Sequence, residues 1–375
     1  MPAMKNLYKE IHLRLSEVGD IPKDGNTIKR INTLSGLVNG MIRKGSSHLP
    51  DIGSGLCKNM DANSKTIAAK RFVENKWIDF ESYYLPYLIP FLHGILLCSR
   101  LGKGIVLVID GSQTGKDNAT LMISLVWQNR GIPICWLTKK GSKGHFKSSD
   151  HESVMTYAIK ILKPLLPEKF PVALLGDGEF DGIGLQKLCL SNGWDYVLRT
   201  ANNTVFYDGG ERFRAKTVSP DPSTDCVFIP SLDFTEERFP NVNFVCWHDH
   251  EKHEKPIFLV SNLDCPKEIM EFYDQRYSIE CLFKDIKSTS FNIHKTRLKK
   301  TGEVFNLIII AAVAFLLLTA IAIKYDEPKW RKKVQRIRKD RKVLSFFTFA
   351  YRLIHFFIDN DVGFNFSFQF SKNYK

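Results

Sequence analysis

The chain has 375 residues, 44 % of them hydrophobic, enough for two or three domains with apolar cores. Lysine and arginine number 53 against 40 aspartates and glutamates, a formal net charge of +13; a basic excess of this size favours polyanionic partners through counterion release, although a soluble basic protein without such a partner has the same composition. Eight cysteines lie at positions 57, 98, 135, 189, 226, 246, 265 and 281 with no Cys-x-x-Cys pair, which argues against a zinc site and for a reducing compartment, and no cationic start with an apolar run behind it opens the chain, so secretion is not expected.

Residues 1–98 read as helical, with apolar periodicity from Leu7 to Val18 and from Ile28 to Ile42. A basic amphipathic helix is expected from Ala62 to Lys76, capped by Asn63 or Ser64. Its cations Lys65, Lys70, Arg71 and Lys76 suit contacts to a DNA backbone, which position a protein without reading bases. The same pattern fits a helical bundle with a solvated basic face, so the region reads either way.

The run Gly104-Ile-Val-Leu-Val-Ile-Asp110-Gly is apolar without alternation and ends in an acid. Such a run predicts a strand buried on both faces, with Asp110 at or near its exit. Strands follow near Leu121–Gln128 and Ile132–Thr138, then a helix over Ser153–Leu162. Pro171-Val-Ala-Leu-Leu-Gly-Asp177-Gly repeats the first plan, and a helix and a strand over Tyr196–Thr200 complete the unit. Either acid alone could be an ordinary turn aspartate. Residues 201–265, rich in Asn, Gly, Pro and Asp with runs at Phe244–Trp247 and Ile257–Val260, read as a β-rich insertion. His248, His250 and His253 within it are spaced two and three apart, which does not define a tetrahedral metal site, and an exposed turn is the better reading.

From Tyr273 to Lys287 the chain reads Tyr-Asp-Gln-Arg-Tyr-Ser-Ile-Glu-Cys-Leu-Phe-Lys-Asp-Ile-Lys. On one helix at about 100° per residue, Tyr273, Arg276, Glu280 and Lys287 fall within roughly 60° of one another, while Ile279, Leu282, Phe283 and Ile286 seat the helix on a core. A carboxylate between cations suits a divalent metal beside a phosphodiester. The plainer reading is an exposed helix with an Arg276–Glu280 ion pair. Three carboxylates, Asp110, Asp177 and Glu280, can hold two Mg²⁺ or Mn²⁺ ions for phosphodiester cleavage or transesterification.

At this point the chain resembles the DDE transposases of bacterial insertion sequences, in the subgroup marked by Tyr-x2-Arg-x3-Glu-x6-Lys, which Tyr273, Arg276, Glu280 and Lys287 match at every fixed position. The resemblance extends through Gly176-Asp177-Gly-Glu-Phe-Asp181, Asn192-Gly-Trp-Asp-Tyr-Val-Leu-Arg199 and Lys255-Pro-Ile-Phe-Leu-Val-Ser-Asn262, and covers roughly residues 60 to 325. It departs at Gly111, where the family usually has arginine or lysine, and at Tyr277, where it often has tryptophan. What the resemblance implies is an α/β fold: a ribonuclease-H-like core over 99–200 and 266–325, interrupted by the β-rich insertion at 201–265. An N-terminal helical DNA-binding domain would span 1–98 and a basic, aromatic tail 326–375. Asp110, Asp177 and Glu280 would be the catalytic and metal-binding triad, with two ions per site. Tyr273, Arg276 and Lys287 would hold DNA phosphates, joined by Lys70 and Arg71, and Trp247 would receive a flipped base during hairpin formation. The partners would be double-stranded DNA at terminal repeats and at the target, and a second protomer in a homodimeric synapsis. Cytoplasmic, nucleoid-associated work is implied.

Residues 304–323 carry no charge over twenty positions, long enough to cross a bilayer, with a basic stretch from Lys329 to Lys342 behind them. In the resembling family this position holds an apolar helix covering the sheet, which makes it a core helix and removes the membrane as a partner. A DNA-binding remnant without activity is the other alternative.

Overall fold

The apolar run after Gly104 becomes the central strand of a mixed sheet, buried along all but its last residue. The structure is a computed structural model and describes residues 2–18, 24–56, 59–97, 104–142, 144, 146–221, 224–249, 254–336 and 344–368. Strands β1 (Ile105–Gln113), β2 (Asn118–Trp127) and β3 (Arg130–Lys140) form an antiparallel meander, and β4 (Val172–Gly176) and β5 (Asp195–Arg199) add in parallel on the other side of β1. Helix α7 (Ser148–Leu162) precedes β4, and α8 (Ile183–Ser191) joins β4 to β5. The order 3-2-1-4-5 is built from three strands, a helix and the strand bearing the second acid, as the resemblance implied.

The region from 201 to 265 continues this sheet. Strand β10 (Ile257–Ser261) lies antiparallel beside β5 and is followed outward by β9 (Phe239–Trp247), β8 (Cys226–Phe234), β6 (Val205–Asp208) and β7 (Glu211–Arg214), giving ten strands in one sheet.

Six helices precede the sheet: α1 (Pro2–Glu17), α2 (Gly25–Lys44), α3 (Leu49–Gly53), α4 (Ala62–Val73), α5 (Phe80–Tyr83) and α6 (Leu85–Leu97). The cap of α4 is Asp61, whose carboxylate accepts from the Ser64 N–H at 2.8 Å, rather than Asn63 or Ser64. An aspartate just before the first turn satisfies a donor that would otherwise be orphaned. These helices share one apolar cluster with the sheet. Tyr84 donates to the Pro133 carbonyl of β3 at 2.7 Å, and Asn306 donates to the Val73 carbonyl at the end of α4 at 2.9 Å.

The apolar stretch 304–323 lies in α11 (Thr301–Tyr325), packed by α2, α4, α6, β3 and α13 (Phe346–Asp359). From Leu307 to Ala322 every residue is buried. Its apolar surface is therefore spent on protein contacts. In the tail, Lys329 and Arg331–Lys333 sit on α12 (Pro328–Val334), while Arg338, Lys339, Arg341 and Lys342 lie outside the described residues.

Candidate active site

Register brings the two aspartates together. Ile109 of β1 pairs with Gly176 of the parallel β4, so the next residues are Asp110 and Asp177; Asp177 follows the end of β4, whereas Asp110 is not at the strand exit, because β1 continues to Gln113 in its antiparallel pairing with β2. Asp110 is 2 % exposed, and the Gly111 N–H donates to its carboxylate at 2.7 Å. Asp177 opens a turn in which the Glu179 N–H donates to its carboxylate at 3.1 Å, the side-chain turn expected of an aspartate at a strand exit. Asp110 and Ser112 share one face of β1, and Gly111 points to the other. There a Cβ would meet the Phe146 ring at 3.2 Å, so a longer side chain, such as the cation usual in the resembling family, requires that ring to shift.

The signature segment supplies the third wall, but not as one helix. Helix α9 (Pro266–Asp274) ends before Arg276, and α10 (Tyr277–Lys284) begins after it. Between them the N–H groups of Gln275 and Arg276 donate to Phe272 and Tyr273, three residues back, at 2.9 Å each. Past Lys284 the helix widens into a π turn over Asp285–Thr289, closed by Ser290 N–H to the Asp285 carbonyl at 3.2 Å. A tightened turn and a widened one replace the uniform 100° step that the single stripe assumed. Three of the four side chains nevertheless lie near the aspartates: Arg276 interacts with Asp110, Tyr273 with Asp177, and Lys287 with Ser112 next to Asp110. Helix α10 packs on β1, β2 and β3, with Leu282 lying over Gly131. Lys287 donates to Ser112 Oγ at 3.1 Å.

Arg276 donates to the Glu280 carboxylate and lies 5.9 Å from the Tyr273 ring centroid. Burial works against its charge, but Tyr273, Glu280 and Asp110 more than offset this and hold its pKa above the ordinary value. Burial also pushes the Tyr273 phenol up, against the pull of Arg276 and Arg199. One guanidinium thus stands among Glu280, Asp110 and Tyr273. Among the described residues no three Asp, Glu, His or Cys side chains lie close enough to hold one ion. As carboxylates, Asp110 and Asp177 are the ligand type a divalent cation takes, whereas Glu280, tied to Arg276, does not complete a three-carboxylate site in this arrangement.

Several neighbours carried no role in the sequence reading. Beside Asp177 opens a cleft of about 660 Å³, walled in part by Arg199, Lys216 and Lys255 with Phe258 in its lining. Arg199 was visible at the end of a strand-like run, but its pairing with Tyr273 depends on how α9 crosses β5. His151 is 4 % exposed with its ring 4.8 Å from Phe180, and burial lowers its pKa against the pull of Asp150 and Asp177. Asp181 accepts from Thr200 at 2.6 Å, and burial raises its pKa.

Trp247 ends β9 at 5 % exposure, paired with Cys226 on one side and Ile257 on the other. Stacking on a base would first require that ring to be uncovered. Lys70, Arg71 and Lys76 are exposed on and just after α4, Lys65 is half-buried, and Lys70 lies 3.7 Å from Glu74. Nothing brings them to the aspartates. His248 follows β9, and His250 and His253 fall outside the described residues.

Residues 145–317 match the family model of the transposase DDE domain. That stretch contains Asp177 and Glu280 and begins after Asp110. No curated protein matches the chain. Among solved structures the chain is similar to piggyBac transposase in a synaptic complex with hairpin DNA, at 14 % identity over 96 % of this chain and 79 % of that one, with a TM-score of 0.47. It is also similar to endonuclease V of Ciona intestinalis in complex with inosine-containing DNA, at 15 % identity over 48 % of this chain and 83 % of that one, TM-score 0.28. A third likeness is to the Argonaute of Aquifex aeolicus, at 12 % identity over 46 % of this chain and 24 % of that one, TM-score 0.25.

Proposed function

We propose that the chain is a DDE transposase of a bacterial insertion sequence, in the Tyr-x2-Arg-x3-Glu-x6-Lys subgroup, cutting and joining DNA at the element's terminal repeats. The observation that carries this reading is the register of parallel β1 and β4, whose last pair, Ile109 with Gly176, is followed on each strand by an aspartate, Asp110 and Asp177, with Lys287 of the signature segment bonded to Ser112 beside Asp110. The match of residues 145–317 to the transposase DDE domain supports the same reading.

In this proposal Asp110, Asp177 and Glu280 form the catalytic set. Mg²⁺ or Mn²⁺, two ions per site, would supply Lewis acidity and lower the pKa of the attacking water. In this reading Asp110 and Asp177 would hold such an ion, and Glu280 would join them only on parting from Arg276. Lys287, anchored by Ser112 beside Asp110, orients a phosphate at the strand to be cut; Tyr273 and Arg276 flank it, where a shift of about 1 Å is costly. Lys70 and Arg71, with Lys65 and Lys76, contact the DNA backbone away from the chemistry. Two protomers bring the two element ends together on the nucleoid. After the first nick the freed 3′ hydroxyl attacks the opposite strand, giving a hairpin that is reopened before joining to target DNA.

The test is cleavage of a duplex carrying the element's own end, with Mg²⁺ or Mn²⁺, by the purified chain and by Glu280→Gln. Nicking at the element boundary by the parent alone is the expected result. Binding without cleavage by either protein points to a DNA-binding remnant. Neither binding nor cleavage, in a preparation that needs detergent, returns residues 304–323 to the membrane reading.

A further inference from the structure

Lys287 is held at both ends. Its Nζ donates to Ser112 Oγ at 3.1 Å, and its main-chain carbonyl lies 2.7 Å from Nδ1 of His294. A carbonyl only accepts, so Nδ1 carries the hydrogen of this bond. Carbonyls in the last turn of a helix have no helical N–H ahead of them, and Lys287 stands in that position: the π turn Asp285–Thr289 closes at Ser290, after which the chain leaves the helix. His294 supplies a donor from outside the turn.

His294 is exposed, but the backbone that carries it is fixed. Phe291 and Ile293 are fully buried, and Asn292 between them takes the left-handed conformation at φ 53°, which asparagine adopts more readily than most side chains. The Asn292 amide donates to the Gly45 carbonyl at 2.9 Å, and the Asn292 carbonyl accepts from Ser47 Oγ at 2.9 Å. Two bonds thus seat Asn292 on the residues that follow α2. On another side, the Phe291 ring meets that of Phe347 in α13 edge to face at 5.8 Å. A lysine reaches its target on a flexible four-carbon stem, so its ammonium is placed only as well as its root and its tip are held. Ser112 holds the tip of Lys287 and His294 the root.

We propose that His294 is a positioning residue for strand cleavage: donating to the Lys287 carbonyl from a backbone anchored at Asn292, it sets where the Lys287 ammonium meets the phosphate beside the bond to be cut. This rests on the transposase reading, in which Lys287 holds that phosphate. His294 touches neither DNA nor ion in this role, and its contribution passes through Lys287. Because Asn292 is seated behind α2, the same contacts hold the N-terminal helices in register with the signature lysine.

The experiment is single-turnover cleavage of a duplex carrying the element's own end, with Mn²⁺ and excess protein. It compares the full chain with Lys287→Ala, His294→Ala, His294→Asn and the two alanine substitutions together. Asparagine keeps a side-chain N–H close to the place of Nδ1, and alanine does not. His294→Ala is expected to slow cleavage of bound duplex by about ten- to a hundredfold, the cost of a positioning error of about 1 Å, with little change in duplex affinity. His294→Asn is expected to restore most of the rate, and the double variant to cleave no more slowly than Lys287→Ala, because the two residues act as one unit. Cleavage by His294→Ala at the parent's rate overturns the positioning role and leaves the transposase reading standing. So does a loss that asparagine does not restore, or one that multiplies with that of Lys287→Ala in the double variant, since His294 then acts on the fold and not through Lys287. If Lys287→Ala cleaves as the parent does, Lys287 holds no phosphate and His294 has nothing to position. If the parent itself does not cleave, the transposase reading falls and the positioning role with it.

Discussion

Asp285 lies one turn beyond Glu280, at the start of the π turn that presents Lys287, and its carboxylate is 3.6 Å from Arg130 Nε with only 5 % of the side chain exposed. Burial pushes its pKa up from 3.8 to about 6, against the pull of Arg130 and Lys284. The folded state therefore takes up a proton at a higher pH than the unfolded chain does. This group's contribution to stability rises as pH falls from about 6 towards 4, and ionised Asp285 costs on the order of 3 kcal/mol at neutral pH. Asp285→Asn is expected to abolish that slope: measured by urea unfolding, the parent gains on the variant between about pH 7.5 and about pH 4.5. Parallel pH profiles for the two proteins would show that the carboxyl ionises normally. Arg276 and Glu280 teach a related lesson about legibility. Their spacing supports both a catalytic stripe and an ordinary i,i+4 ion pair, and the structure contains the ion pair inside the candidate site, so the two readings describe the same atoms. Spacing along a helix identified the partners. It could not show that Asp110 and Tyr273 also face that guanidinium, because those contacts depend on how α10 crosses β1.

Helices α2 and α3 meet backbone to backbone. A Cβ at Gly40 would lie 2.0 Å from the Ile52 carbonyl oxygen, and one at Gly55 would lie 2.2 Å from both the Gly36 carbonyl and the Gly40 nitrogen. No flexible side chain is there to yield. Gly40→Ala is expected to cost at least about 1–3 kcal/mol through overpacking. Gly25→Ala, at the first position of α2 with nothing within 4 Å, is expected to be neutral or to stabilise by up to about 1 kcal/mol, by restricting the unfolded chain. Urea midpoints at constant slope distinguish the two, and equal shifts would sink the packing argument. The long apolar helix shows where element-level reading stops. Twenty uncharged residues satisfy both a bilayer and a protein core, and the choice is made by the layers of helix and strand that enclose α11. Asn306 was a hint in the sequence, since a polar residue in such a run needs partners, and it finds them in the Val73 and Asn75 carbonyls at 2.9 and 3.2 Å. Asn306→Leu is expected to leave both carbonyls short of a donor and to lower stability by about 1–3 kcal/mol in the same assay. An unchanged midpoint would mean that water replaces the amide.

Across the whole molecule, the buried strands β1 and β4 were legible from apolar runs ending in acids, because a run without alternation fits a strand buried on both faces, while the order in which they join the sheet came from the resemblance alone. The sheet edge joined by the strands after residue 201 was not legible, since short alternating runs do not encode which neighbour they pair with. Nor was the closure of the two chain ends. Phe366 and Phe368 are 2 % and 3 % exposed, the Phe368 ring lies 5.7 Å from that of Tyr87 in α6, and the Phe366 N–H donates to the Glu10 carboxylate of α1 at 3.3 Å. The segment after α13 thus clasps the first helix, and the N-terminal helices, the sheet and α13 share one apolar cluster. A shared core predicts shared unfolding: the helical region is expected to melt with the sheet in one transition, so that tryptophan fluorescence and far-ultraviolet circular dichroism trace superimposable curves. Trp77 reports from beside α4, while Trp136, Trp194 and Trp247 report from the sheet and its margins. Phe368→Ala removes a buried aromatic from the clasp and is expected to lower the stability of the whole by about 3–5 kcal/mol while keeping the transition single. If the variant instead splits into two transitions, with the helical region lost first, the clasp is what couples the N-terminal helices to the sheet. If the parent already shows two, the first hundred residues fold as a unit of their own despite the common core.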